Sequence, residues 1–223
     1  MTPRQRFQEA LKAAKPLTVG AIADPLALHT HPSGCDLVEL RLDSLGTGED
    51  VISFAKNCDL PLLITARGQA EGGQADWQAP ERQNAYFQLL DFASAIDLEL
   101  RDFNDFTKLL SEAKQREIAV VGSYHNFTQT PTVAELSQSI HELADIHKFA
   151  LMTNSPKCIE RHLELIELFS GRPLSVMGMG PLGAASRPLM AKAGSVLNYG
   201  FLGSTPTAPN QWPASLLQQA LNI

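Results

Sequence analysis

Long apolar runs are missing from this 223-residue chain, and none approaches the roughly 20 residues a membrane-spanning helix needs, so no transmembrane segment is expected. The opening MTPRQRFQEALKAAK carries no apolar core of the kind that marks export, and cytoplasmic residence is the expectation. Cysteine is scarce: Cys35, Cys58 and Cys158 are an odd, scattered set with no CxxC pair, which excludes a disulfide framework and reads as three reduced thiols. Positive charge is in deficit, 18 Lys and Arg against 24 Asp and Glu, so no basic field offers itself to nucleic acid and any cationic site must be local. A small-molecule substrate is the partner that remains. No Gly/Ser-rich or charge-rich linker divides the chain, and one domain over residues 1–223 is the expectation. Acidic residues are absent from 184 to 223. Gly178, Gly180 and Gly183 have G-x-G-x-x-G spacing, but the carboxylate that would hold a ribose about 20 residues on is missing, and a dinucleotide reading fails.

Runs rich in Val, Ile and Leu recur at 17–23, 36–42, 61–66, 95–100, 117–124, 147–152, 173–179 and 194–200. Between them lie stretches with helical spacing: EDVISFAKNC, PERQNAYFQLLDFA, DFNDFTKLLSEAKQ and PTVAELSQSIHELADI, several opening on Pro or a capping residue. Eight strands alternating with helices predict an α/β fold, a (β/α)8 TIM barrel. The segment DPLALHTHPSGC after the first run has room for little more than one helical turn, so the first βα segment is expected to be shortened.

Alternate residues of a barrel strand point inward, and active sites gather where the strands end. In the second run Glu39, Arg41 and Asp43 share the inward face, where Glu39 and Arg41 either pair to fill the interior or meet a hydroxylated ligand. In the third, Thr65 and Arg67 share a face, and Glu71 follows on a glycine-bounded loop. Asp97 and Glu99 read as inward acids that orient Arg or His neighbours. Ser123 and His125 share a face of the fifth run, as do Lys148, Ala150 and Met152 of the sixth, which turns His147 away. A lysine at an apolar strand is rarely idle, because an amine freed of its proton is a nucleophile for carbonyls. Met177 and Met179 share a face of the seventh run and either fill a core gap or line a ligand cavity. Arg187 opens a helical stretch in a region otherwise short of charge, suited to fork a carboxylate. The Gly/Pro/Thr-rich GFLGSTPTAPNQW reads as a flap over the mouth. His29, His31, His141, His147 and His162 read as structural. His29 and His31 lack a carboxylate or thiol at useful spacing, and no metal is assigned.

The pieces ELRLD, TARGQAEGG, IDLEL, GSYHNF with TP shortly after, KFALM, MGMGPLGAASR and TAPNQ stand in one order from about residue 17 to 212. Together they resemble type I 3-dehydroquinate dehydratase, a shikimate-pathway enzyme that forms a Schiff base with its substrate. The resemblance implies Lys148 as the imine-forming lysine, His125 as general acid and base, and Glu71 as the carboxylate orienting His125. It implies Arg187 on the substrate carboxylate, Glu39, Arg41 and Arg67 on the hydroxyl-bearing side, and Thr207 and Gln211 closing from the flap. Met177 and Met179 join them as substrate-lining residues. It implies no cofactor, and a homodimer. The chain departs from the family in having Gly20 and Ala21 where a serine is common, and TAPNQ where the flap usually reads SAPGQ, in a flap one residue longer. A class I aldolase or transaldolase, with MGMGPLG and Arg187 cradling a sugar phosphate, is the rival enzyme, and a catalytically silent barrel the rival of another kind.

Overall fold

The computed structural model describes residues 1–222. Eight parallel strands wrap into a nearly closed barrel: β1 (Leu17–Ile22), β2 (Leu37–Arg41), β3 (Leu62–Thr65), β4 (Ala95–Glu99), β5 (Ala119–Asn126), β6 (Ile146–Met152), β7 (Leu174–Met179) and β8 (Leu197–Phe201). Each of the eight apolar runs supplies one strand. The fifth reaches further than its run, so His125 lies within β5. The eighth starts late because Gly194, at φ 125°, ends the preceding helix.

The helices are α1 (Pro3–Lys12), α2 (Leu42–Leu45), α3 (Glu49–Asn57), α4 (Ala79–Leu89), α5 (Thr107–Gln115), α6 (Val133–Ser137), α7 (Pro156–Leu168), α8 (Gly183–Ala193) and α9 (Ala214–Leu221). Between β1 and β2 the chain makes only a 3-10 turn, Pro25–His29, which is the shortened segment its length required. The helix expected over PTVAELSQSIHELADI is cut to α6. Ser137 Oγ bonds back to the Val133 carbonyl, the next amides make tighter i→i−3 bonds, and the His141 amide donates to His147 Nε2 instead of extending a helix.

Inward side chains from all around the barrel, among them Val19, Leu63, Val121, Ile146 and Leu197, form an inner core. Its N-terminal end is plugged by α1, which a Thr2–Gln5 capping box starts and whose Phe7 is buried in that core. Burying such a ring contributes about 2–3 kcal/mol. A larger apolar layer, including Tyr86, Leu89 and Phe106, joins β2–β5 to their outer helices.

The seam between β7 and β8 is closed differently from the other seven. Among the described residues these two strands share no ladder. The Val196 amide donates to the Leu174 carbonyl at 2.9 Å. Two serine hydroxyls do the rest: Ser195 Oγ accepts from the Val176 amide at 3.0 Å and Ser175 Oγ from the Leu197 amide at 2.9 Å. In α7, His162 is fully buried with neither ring nitrogen partnered, and burial pushes it down to about 4, so it is neutral at physiological pH.

Candidate active site

A cavity of about 280 Å³ opens at the C-terminal end of the strands. All eleven candidate residues line it: Glu39, Arg41, Arg67, Glu71, His125, Lys148, Met177, Met179, Arg187, Thr207 and Gln211. Strand alternation brings Glu39, Arg41, His125, Lys148, Met177 and Met179 there, while Arg67 and Glu71 follow the end of β3, Arg187 lies in α8, and Thr207 and Gln211 follow β8.

Lys148 on β6 stands in register between Ser123 of β5 and Ser175 of β7, two small neighbours that leave its side chain free to enter the barrel. Its Nζ donates to Asp97 Oδ2 at 2.7 Å, lies 4.0 Å from Glu39 Oε1, and sits 3.9 Å from the centroid of the Tyr199 ring. Asp97 also accepts from Arg67 Nη2 at 2.7 Å and Ser123 Oγ at 2.6 Å. Burial pushes the Asp97 carboxyl up, but the Arg67 and Lys148 cations outweigh it and hold it far below the usual carboxylate range. Asp97 thus orients an arginine, as expected, and the lysine as well, which was not. Glu99 accepts from the Gly68 amide and pairs with Arg82.

Glu39 and Arg41 do not pair. β2 ends at Arg41 and α2 begins at Leu42, so Asp43 comes off a helical turn and takes Arg41 Nε and Nη2 at 2.9 and 2.8 Å in a two-pronged bridge. Glu39 accepts from Thr65 Oγ1 at 2.8 Å and faces Lys148.

Glu71 closes a 3-10 turn, Gln69–Glu71, followed by Gly72 at φ 89°; a Cβ on Gly73 would meet the Arg67 carbonyl oxygen at 2.1 Å, so only glycine fits. The turn aims Glu71 Oε2 at both the His125 amide (3.0 Å) and Nδ1 (2.8 Å). An ionised Glu71 therefore fixes the proton of His125 on Nδ1 and leaves Nε2 as the free base. Phe127 stacks on the imidazole, with centroids 6.4 Å apart. Burial, foremost, pushes Glu71 up to about 7 and His125 well below its ordinary value. His125 accordingly stays neutral into mild acid, while Glu71 gains a proton as pH falls through about 7 and ceases to orient it. The expected result is an acid limb near pH 7 along which kcat/KM falls about tenfold per pH unit. Rate profiles of Glu71→Gln should lie lower and lack that limb; an unchanged limb in the variant would assign it elsewhere.

Arg187 is the fifth residue of α8, so it lies inside that helix and not at its opening. It is buried, donates Nη1 to the Tyr199 carbonyl at 2.9 Å, leaves Nε without a partner, and makes no ion pair among the described residues. Burial with no anion nearby lowers it to about 10. The other cations of the cavity are compensated, Arg41 by Asp43 and Arg67 and Lys148 by Asp97. A buried guanidinium without a carboxylate is costly unless a ligand supplies one.

The flap folds over the mouth. The Thr207 amide and hydroxyl both donate to Gln211 Oε1 at 2.8 Å, and Ala208 and Pro209 complete the wall. Asn210 adopts φ 56°, a conformation asparagine tolerates where glycine would be unstrained, and its Nδ2 donates to the Gly180 carbonyl at 2.7 Å. The altered flap sequence thus gains a tether. Gly20 has a steric cause too: a Cβ there would meet Leu202 Cδ1 at 2.6 Å.

The glycines of MGMGPLG are filled in by the protein itself. A Cβ on Gly178 would meet Ser186 Oγ at 2.3 Å, and one on Gly180 would meet Met152 Sδ at 2.3 Å. His29 and His31 line a separate groove beside Asp50 and Cys58. Sequence reasoning missed Phe127 and Tyr199 as cavity residues. For Tyr199 a signal existed, since it shares strand parity with the inward Leu197.

A family model for type I 3-dehydroquinase matches residues 16–223. The 3-dehydroquinate dehydratase of Methanocella arvoryzae is 34% identical over 195 residues, covering 85% of this chain and 88% of the relative. Among solved structures, 3-dehydroquinate dehydratase from Enterococcus faecalis aligns with a TM-score of 0.76 at 26% identity over 93% of each chain. The type I enzyme from Clostridium difficile, solved with covalent modified comenic acid, gives a TM-score of 0.81 over 93% of this chain and 91% of that one; at 24% identity this likeness speaks to the fold.

Proposed function

The chain belongs to the type I 3-dehydroquinase family and is a hydro-lyase, a 3-dehydroquinate dehydratase, and from that premise we propose that it works through a Schiff base on Lys148 with His125 as general acid and base. One observation carries the reading: a buried amine and an imidazole oriented by Glu71 open onto the same cavity. In this scheme Arg187 takes the substrate carboxylate, the anion its environment lacks, while Glu39, Arg41 and Arg67 face the hydroxyl-bearing side. Thr207 and Gln211 close over the ligand, and Met177 and Met179 wall it.

The neutral Lys148 amine attacks the C3 ketone to give a carbinolamine. His125, having taken the proton that the Lys148 ammonium sheds to become that amine, returns it to the oxygen, which leaves as water, and a protonated imine forms. That cation takes up the electron pair released when His125 Nε2 removes the C2 proton, giving an enamine and a protonated His125. The enamine expels the C1 hydroxyl, protonated by His125 on the same face, as a second water; one water then returns to hydrolyse the imine and free Lys148. One water is lost overall, and the product is 3-dehydroshikimate. The imine supplies the polarisation of the carbonyl. The aldolase rival loses support from the glycine loop, whose space is occupied by Ser186 and Met152 side chains where a phosphate cradle would need to be open.

Borohydride added during turnover of 3-dehydroquinate should reduce the imine and leave a stable adduct on Lys148, read by intact-mass and peptide mass spectrometry. Sustained activity with no adduct at any substrate concentration would overturn the covalent route.

A further inference from the structure

Tyr199 lies on β8, across the cavity from the strands that carry the acid–base pair, and its side chain belongs to the inner core. Its hydroxyl is buried without a hydrogen-bond partner. No hydrogen bond therefore ties the hydroxyl to Lys148, and the contact between the two side chains is made by another part of Tyr199. Here that part is the ring: the Lys148 ammonium sits 3.9 Å from its centroid. A cation over an aromatic face in a site closed to water is attracted by the negative face of the ring. Asp97 grips the same nitrogen at 2.7 Å through a directed bond. Two contacts of different kind therefore fix the reacting atom, one by direction and one by surface.

We propose that Tyr199 is a positioning residue for Lys148, its aromatic face seating the lysine nitrogen both as the ammonium and as the protonated imine. The inference rests on the Schiff-base reading for the second of those states. Burial and the nearby Asp97 and Glu39 carboxylates push the phenol well above its ordinary value, so the ring stays neutral throughout. The Tyr199 carbonyl also anchors Arg187 through Nη1, which joins the seat of the amine to the proposed holder of the substrate carboxylate through one residue.

The test separates electronic character from bulk. Tyr199→Phe keeps the ring and removes only the orphaned hydroxyl; kcat should stay within about twofold, with melting temperature unchanged or raised by about 2 °C. Cyclohexylalanine at position 199 keeps the six-membered volume and loses the π face; kcat should fall about tenfold while KM changes less than about twofold. A Tyr199→Phe variant that loses as much kcat as the cyclohexyl variant would show that the hydroxyl, not the face, matters. A cyclohexyl variant with wild-type kcat would show the ring to be filler. Either result overturns the proposal. Borohydride trapping on the unaltered enzyme, run alongside, keeps the two readings apart, because an adduct there with wild-type rates in the cyclohexyl variant sinks only the role of Tyr199.

Discussion

Lys148→Ala should reduce kcat by about 10⁴-fold or more, the scale on which enzymes respond to loss of a covalent nucleophile. The measurement is the ultraviolet absorbance that grows as the conjugated enone product forms. No other amine can take over, because Lys148 is the one lysine among the residues that line the cavity. Alanine leaves Asp97 its bonds to Arg67 and Ser123, so the buried carboxylate is not stranded and the barrel should still fold. Lys148→Arg is the sharper control. It retains a cation for Asp97 but presents no amine that can condense with a ketone, and it should be as inactive as the alanine variant. Borohydride should leave neither variant with an adduct. Turnover by Lys148→Arg within tenfold of the parent enzyme would reduce the lysine to an electrostatic part.

His125→Ala should lower kcat by about 10²- to 10⁴-fold, the usual contribution of a positioned general acid–base group. Its signature differs from that of the lysine variants, since the amine remains. Trapping should still yield an adduct, formed more slowly, because water can carry the protons of imine formation less effectively than an imidazole held by Glu71 at 2.8 Å. Single-turnover mass spectra should show covalent species persisting where the parent enzyme clears them. A variant with parental kcat would remove His125 from the chemistry and leave Glu71 without a purpose in the cavity.

Much of this was legible in the sequence because barrel strands obey a period of two. Alternation in DLVELRLD, GSYHNF and KFALM says which side chains turn inward, and each apolar run supplies a strand. What alternation leaves open is which inward residue meets which across the cylinder. The Lys148–Asp97 bond joins β6 to β4 through a relative stagger set only when the sheet curls, and nothing local to either strand announces it. The same limit hid the partner of Arg41. Glu39 and Asp43 are both two residues away, and the choice turns on where β2 gives way to α2. Tyr199 went unnoticed for a different reason: an aromatic residue in a strand is ordinary, and only the neighbouring amine gives it a task. In PTVAELSQSIHELADI the helical spacing was real, but Ser137 and His147 offered the backbone other partners.

The join between β7 and β8 bears on how the enzyme responds to occupancy. Met177 and Met179 stand on one bank, Tyr199 on the other, and Arg187 reaches from α8 to the Tyr199 carbonyl. In the proposed scheme, a substrate whose carboxylate is held by Arg187 and whose carbonyl carbon is bonded to Lys148 on β6 would span the one join of the cylinder that has no ladder among the described residues. On that scheme a ligand that reaches both banks should raise the melting temperature more than one of equal affinity confined to a single bank, and equal shifts would detach the join from occupancy.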